Sequence, residues 1–206
     1  MDLNTLRAKV NDHHPELILP ERPIFTAVMI PLVEKAGQLH VLFEVRSADI
    51  AQGGEVSFPG GHVEPGEDAG ETARRETCEE LLLHPGQVEI LAPMHRMTDR
   101  GRLIIDSFVG LLRDYEDSFS LSEVERVFTV PLDWLLANPP EIYRAEMEFQ
   151  LEADFPYELI PGGRDYPFFR PQRRFYFYRR EEAVIWGMTA DLLYHFIEFL
   201  KRGDWP

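Results

Sequence analysis

Gly61-His-Val-Glu-Pro-Gly-Glu67, seven further residues, and then Arg75-Glu76-Thr-Cys-Glu79-Glu80 decide how this chain is read. The stretch puts a glycine-rich turn directly ahead of a predicted helix over residues 68–83. Asp68 is its expected N-cap and Pro85-Gly86 its stop. At ~100° per residue, Glu76, Glu79 and Glu80 share an arc of roughly 100° on that helix. Carboxylates so crowded repel one another unless a cation lies between them. Hard oxygen donors of this kind suit Mg²⁺ or Mn²⁺, which take a few carboxylates and fill their shell with water and substrate phosphate. Gly60, Gly61 and Gly66 let the backbone approach a ligand closely, and the helix N-terminus offers unpaired N–H groups to phosphate. Arg75 and Glu67 carry opposite charges and can pair across the loop. The stretch reads as a site for metal and phosphate.

The rest of the chain limits what that site serves. A length of 206 residues suits one domain over residues 1–206, with a short N-terminal helix and a link occupying 1–23. The formal charge of −15 argues against a nucleic-acid partner, which would demand clustered Lys and Arg. An acidic protein handling an anion needs cations at the site, from metal or local arginines. The single cysteine, Cys78, excludes an internal disulfide, suits a reducing compartment and reads as a small buried apolar residue. The longest apolar stretch, Ile24 to Val33, contains Pro31 and is about half a bilayer span. With no leader pattern and no lipidation address in Asp204-Trp-Pro206, a cytoplasmic protein without a membrane partner is expected.

Strands are predicted at 24–33 and 39–46, joined by the polar turn Glu34 to Gln38, with a loop at 47–57. Two more are expected at 87–93 and 103–112, around a turn from Met94 to Arg102. Residues 131–136 read as a short helix ended by Asn138-Pro-Pro, and 141–152 and 173–179 as strands flanking an aromatic-rich stretch. A final helix over 189–201 carries Leu192, Leu193, Phe196, Ile197 and Leu200 on one stripe. The class is α/β, a mixed β-sheet packed between α-helices. Arg46, at a predicted strand end beside the loop, is a candidate phosphate contact or a solvated edge residue. Arg170, Arg173, Arg174, Arg179 and Arg180 either recognise a phosphate or form the solvent side of a strand whose Phe175 and Phe177 face inward. The seven histidines show no metal-ligand spacing; His13-His14 lies in the link, and His62 and His95 near expected loops.

The spacing of Gly61, Glu67, Arg75-Glu76 and Glu79-Glu80 resembles the Nudix box, G-x5-E-x7-R-E-U-x-E-E-x-G-U. Thr77 stands where a bulky apolar residue is usual, and Leu82 replaces the last glycine. The resemblance implies an α/β/α sandwich and Mg²⁺- or Mn²⁺-dependent cleavage of a nucleoside diphosphate joined to another group. It implies metal ligation by Glu76 and Glu80, with Glu79 a further ligand or proton acceptor, and it admits a homodimer. Arg75 joins these carboxylates as a catalytic residue, and Arg46, Gly60 and Gly61 are the expected substrate contacts. The general base is open among Glu79, Glu123 and Glu125. Arg46-Ser47 through Phe58-Pro-Gly-Gly61 is similar to the segment ahead of the box in coenzyme A pyrophosphatases, whose pattern is R-S-x3-R-x3-G-x3-F-P-G-G. Here the stretch is one residue shorter, and Ile50 or Ala51 stands near the second arginine's place. Glu123 to Leu132 and Ile185-Trp-Gly-Met-Thr-Ala190 resemble downstream segments of the same group. Hydrolysis of coenzyme A or its derivatives is therefore implied, giving 4′-phosphopantetheine and adenosine 3′,5′-bisphosphate. The alternatives are a Nudix pyrophosphatase for ADP-ribose, NADH or another nucleoside diphosphate derivative, and a non-catalytic nucleotide-binding module.

Overall fold

Asp2 caps the first helix, α1 (Leu3–Val10), by accepting the Thr5 N–H at 2.9 Å, and no residue of that helix is buried. The computed structural model describes residues 1–14, 18, 19, 21–98 and 101–202. Pro15 and Pro20 of the expected link lie outside them. Next comes the predicted hairpin, with longer strands and a tighter turn. β1 (Ile24–Lys35) and β2 (Gln38–Arg46) pair antiparallel, Lys35 opposite Gln38. Only Ala36 and Gly37 remain to turn the chain, both at positive φ (51° and 76°), as a type I′ turn requires.

Past Leu32↔Val41 the ladder shows β1 and β2 separating, and the chain fills the gap with its own next segment. β3 (Val56–Ser57) pairs with the end of β2, and β4 (Gly60–His62) pairs with Thr26 to Val28 of β1. Between them the Pro59 carbonyl accepts the Met29 N–H at 2.9 Å. Gly60 and Gly61 thus stand in a strand, not in the expected turn. Obligatory backbone pairing along β1 overrides their poor strand propensity. The turn falls instead at 64–67, with Gly66 at φ 90° and the Glu67 N–H reaching the Glu64 carbonyl at 3.1 Å.

α2 (Ala69–Glu80) begins with the expected Asp68 cap, reinforced as a capping box: Asp68 accepts the Glu71 N–H at 2.9 Å and Glu71 accepts the Asp68 N–H at 3.0 Å. It stops earlier than the predicted Leu83. Leu82 takes the left-handed conformation (φ 53°), and the Leu83 N–H bonds the Cys78 carbonyl at 2.9 Å. That is a glycine-type C-terminal motif built with leucine. Leu82 is 60% exposed, so its side chain recovers little by burial. Leu82→Gly is expected to stabilise the fold by about 0.5–1 kcal/mol, the left-handed cost outweighing glycine's entropy. Urea unfolding measures it, and a lower midpoint for the variant would contradict the assignment.

β5 (Val88–Thr98) continues through Met94 to Thr98, where a turn was expected, after ladder irregularities at Ile90/Ala92 and Pro93/Arg96. Of that turn, residues 99 and 100 lie outside the described ones. β6 (Leu103–Leu112) pairs with β5 antiparallel and with β1 in parallel, from Ile24↔Leu103 to Val33↔Leu112. β7 (Val124–Pro131) pairs with β2 and leads into α3 (Leu132–Ala137). These strands form one seven-stranded mixed sheet with β3-β2-β1-β6-β5 as its path.

A second sheet was not anticipated. β8 (Glu141–Glu146), β9 (Gln172–Arg179) and β10 (Val184–Ile185) form it, and residues 147–152 do not extend β8 as expected. Tyr176 and Tyr178 of β9 are buried, whereas Phe175 and Phe177 are only partly covered, the reverse of the predicted facing. α4 (Gly187–Arg202) closes the fold. Strand alternation then sorts the layers. Ala27, Met29, Val33 and Leu42 pack with Ala73 and Leu81 on the α2 side. Ile30, Leu32, Val41 and Phe43 pack with Leu192, Leu193, Phe196 and Ile197 on the α4 side. The expected α/β/α sandwich is formed, each large buried side chain contributing about 1.5–3 kcal/mol.

Candidate active site

α2 lies against β1 and β4, so its last turns face the backbone wedged between β1 and β2. Glu80 is 4% exposed, and its Oε2 accepts the Gly60 N–H at 2.9 Å. Burial, then the neighbouring Glu44 charge, pushes its carboxyl up to about 9. Glu44 was missed in the sequence. It alternates with Phe43 and Val45, which face α4, and so points to the α2 side, fully buried. Its Oε1 accepts the Ser57 hydroxyl at 2.8 Å, while its Oε2 has no partner among the described residues. Burial pushes this carboxyl up to about 7, with the Ser57 bond and Arg46 opposing. The available signal was one glutamate inside the apolar run Val41 to Val45.

Glu76 rests on Gly61. A Cβ at Gly61 would lie 2.2 Å from Glu76 Oε1, so only glycine leaves that carboxylate its place. Burial raises the Glu76 carboxyl, Arg75 opposes this, and the charges of Glu79 and Glu123 add to it. Arg75 organises the rest. Its Nε and Nη2 donate to Glu67 at 2.9 and 3.1 Å, and Nη1 donates to Glu76 at 2.9 Å and Glu79 at 3.2 Å. The expected Arg75–Glu67 pair is formed, and Thr72 also donates to Glu67 at 2.7 Å. Hydrogen bonds from Arg75, then Thr72, hold the Glu67 carboxyl down at about 2. In this geometry Arg75 is a clamp on three carboxylates.

Among the described residues, no three Asp, Glu, His or Cys side chains already converge as a ligand cluster. The donor chemistry still fits a hard divalent cation. The Glu76 charge raises the carboxyls of Glu44 and Glu80, Glu44 also raises Glu80, and the second Glu44 oxygen meets no donor among the described residues. The sign of the linkage follows from the upward shifts. Stability from Glu44 and Glu80 is complete below their ordinary value of 4.5 and is lost as pH rises through about 7 and about 9. With EDTA present, the Tm is expected to fall between about pH 5 and pH 9, and added Mg²⁺ or Mn²⁺ to raise it most at the alkaline end. Calorimetry checks this; a metal-free Tm that climbs over that range would overturn it.

Arg46 donates from Nε to the Ala51 carbonyl at 3.1 Å. It lines a cleft of about 330 Å³ together with Gly60, Gly61, Trp186, Met188 and Thr189. Thr189 ties the start of α4 to β3 through the Val56 carbonyl at 3.0 Å. The fold therefore brings together the three expected substrate contacts and the Trp186-Gly-Met-Thr segment. Glu79 is more than half exposed and held only by Arg75 among the described residues. Glu123 is near enough to raise the carboxyls of Glu44 and Glu76, whereas Glu125 is the extra residue where the β2–β7 ladder shifts register. The arginine group disperses: Arg170 pairs with Glu148, Arg179 with Glu141 and Arg180 with Glu182. Burial raises the Cys78 thiol, in keeping with an inert residue.

Residues 23–149 match the NUDIX domain. The chain belongs to the Nudix family. Peroxisomal coenzyme A diphosphatase NUDT7 of Mus musculus is 36% identical over 132 residues, covering 63% of this chain and 55% of that protein. Nudix hydrolase 15, mitochondrial, of Arabidopsis thaliana is 32% identical over 188 residues, covering 87% of this chain and 58% of that protein. Mitochondrial coenzyme A diphosphatase NUDT8 of Homo sapiens is 29% identical over 195 residues, 91% of this chain and 74% of that protein. The chain thus spans little more than half the length of the first two relatives. Among the described residues of this Nudix chain, no helix is long and apolar enough to cross a membrane.

Proposed function

We propose that this Nudix chain hydrolyses the pyrophosphate of coenzyme A or its derivatives, releasing 4′-phosphopantetheine and adenosine 3′,5′-bisphosphate. One observation carries the reading: Arg46, Gly60, Gly61 and the Trp186 to Thr189 segment line one cleft beside the carboxylate helix. Arg46 and the Trp186 to Thr189 segment belong to the stretches outside the box that resemble coenzyme A pyrophosphatases. The coenzyme A diphosphatase names of two relatives support the same substrate.

Glu76 and Glu80, with Glu79 as a further ligand where it is not the proton acceptor, would hold Mg²⁺ or Mn²⁺, which supplies charge neutralisation for the diphosphate oxygens and acidifies water. The remaining work belongs to the protein. The Gly60 N–H fixes the direction of the Glu80 carboxylate, and Arg75 fixes Glu76 and Glu79 from the other side. Arg46 contacts phosphate at the mouth of the cleft. Glu79 or Glu123 accepts the proton of the attacking water, both being exposed carboxylates beside the buried ones. The single cysteine suits a reducing compartment such as the cytoplasm.

The test is a panel of coenzyme A, an acyl-coenzyme A, ADP-ribose, NADH and a dinucleoside polyphosphate, incubated with Mg²⁺ or Mn²⁺. Chromatography is expected to show adenosine 3′,5′-bisphosphate from the first two. Brisk ADP-ribose cleavage without that product would sink the reading.

A further inference from the structure

The two flanks of the cleft differ in chemistry. On one side a largely apolar hollow, lined by Val45, Val184 and Phe177, shares Val56 and Trp186 with the cleft; its one cation, Arg126, donates to the Glu182 carbonyl at 2.7 Å. Trp186 stacks on Phe177 there, ring centroids 6.1 Å apart. On the other side a polar hollow of about 510 Å³ lies between β5, β9 and α4 and shares Leu192 with the cleft. Met97 of that hollow pairs across the ladder with Ile105, which lines the cleft, and paired strands lie only ~4.8 Å apart. Along α4, Met188 and Thr189 face the cleft while Asp191 and His195 face the hollow. The two spaces are neighbours, with Leu192 in the wall of both.

The polar hollow has an excess of cationic groups in a chain of net charge −15. Arg96, Arg173 and Arg174 line it against a single lining carboxylate, Asp191. Arg96 is already committed to Asp106, with bonds of 2.7 and 2.9 Å. Arg173 is 3.6 Å from Asp191, too long for a good hydrogen bond. Arg174 forms no ion pair among the described residues and sits opposite Arg144 in the β8–β9 ladder. Like charges in directly opposed positions destabilise a sheet, and an anion in the hollow, which Arg174 lines, offsets the charge of that arginine.

We infer that this hollow is a subsite for a phosphate monoester carried on the nucleoside half of the substrate, with Arg173 and Arg174 as its specificity residues. The inference rests on the coenzyme A reading, because that substrate has a ribose phosphate at one end and an uncharged arm at the other. The cationic flank takes the first and the apolar flank the second, which fixes the orientation of the substrate in the cleft. ADP-ribose and NADH carry no such monoester and gain nothing from the hollow.

Calorimetry separates the two readings because it needs no turnover. Adenosine 3′,5′-bisphosphate and adenosine 5′-monophosphate are titrated into the wild type, Arg174→Gln and Arg173→Gln, with melting curves confirming that each variant is folded. The wild type is expected to bind the bisphosphate about 10–100-fold more tightly, and Arg174→Gln to lose most of that margin while binding the monophosphate unchanged. The kcat/KM ratio of coenzyme A to 3′-dephospho-coenzyme A should fall in parallel. Equal affinity of the wild type for both nucleotides, or a full margin in both variants, overturns the subsite even if coenzyme A is cleaved. A margin that disappears in Arg174→Gln without coenzyme A cleavage supports the subsite and removes the proposed function instead.

Discussion

Glu80→Gln is expected to lower kcat by about 10²–10³-fold, the scale of losing one preorganised electrostatic contact. The amide keeps the shape of the side chain, and its carbonyl can still accept the Gly60 N–H that Glu80 Oε2 accepts at 2.9 Å. What disappears is a negative donor next to Glu44 and Glu76. The same change removes the burial penalty that raises the carboxyl, so metal-free stability should hold or rise. Opposite movements of activity and stability distinguish a ligand from a structural residue. Steady-state turnover and thermal melting read both, and a kcat within about twofold of wild type would remove Glu80 from the site.

The adjacent glycines make a second, sharper contrast. An alanine Cβ at residue 61 meets the movable end of Glu76, Oε1 at 2.2 Å and Cδ at 2.4 Å. Gly61→Ala is therefore expected to push Glu76 out of the Arg75 clamp, costing about 10–100-fold in kcat with stability changed by less than about 1 kcal/mol. At residue 60 the Cβ meets backbone instead, the Ala27 carbonyl oxygen at 2.3 Å and Val28 Cα at 2.7 Å. Neither can yield without opening the β1–β4 ladder. Gly60→Ala is expected to cost about 1–3 kcal/mol of stability, as overpacking does. Urea unfolding of both variants beside their turnover decides it. Equal stability losses would mean that the glycines share one structural role.

Why these glycines differ was not legible in the sequence, although the motif containing them was. The spacing from Gly61 to Glu80 located α2, its Asp68 cap and the Arg75–Glu67 pair, because those depend on neighbours within a few turns. The β1–β2 hairpin was readable for the same reason. Gly60 and Gly61 join a strand only because β1 and β2 diverge, a property of two other segments. Glu44 stayed hidden because its partner face is defined by α2, whose position no local pattern reports. The second sheet pairs Glu141–Glu146 with Gln172–Arg179 across an aromatic-rich excursion, beyond the reach of periodicity. Within that sheet, Tyr176 and Tyr178 turned inward where the phenylalanines were expected, since both residue types suit either face.

The wedge of residues 56–62 between β1 and β2 also frees the chain just before it. Because β3 and β4 are each locked to a different strand, the position of Gly60 and Gly61 is independent of how the chain travels from Arg46 to Glu55. Arg46 and Glu55 are themselves joined by a backbone bond of 3.0 Å, which closes that excursion into a loop, tied to the rest of the fold where the Ser47 N–H donates to the Glu123 carbonyl at 2.8 Å. Length variation there is absorbed before it reaches the carboxylates. A segment one residue shorter than the coenzyme A pyrophosphatase pattern it resembles can thus leave Glu76 and Glu80 in register with Gly61 and Gly60.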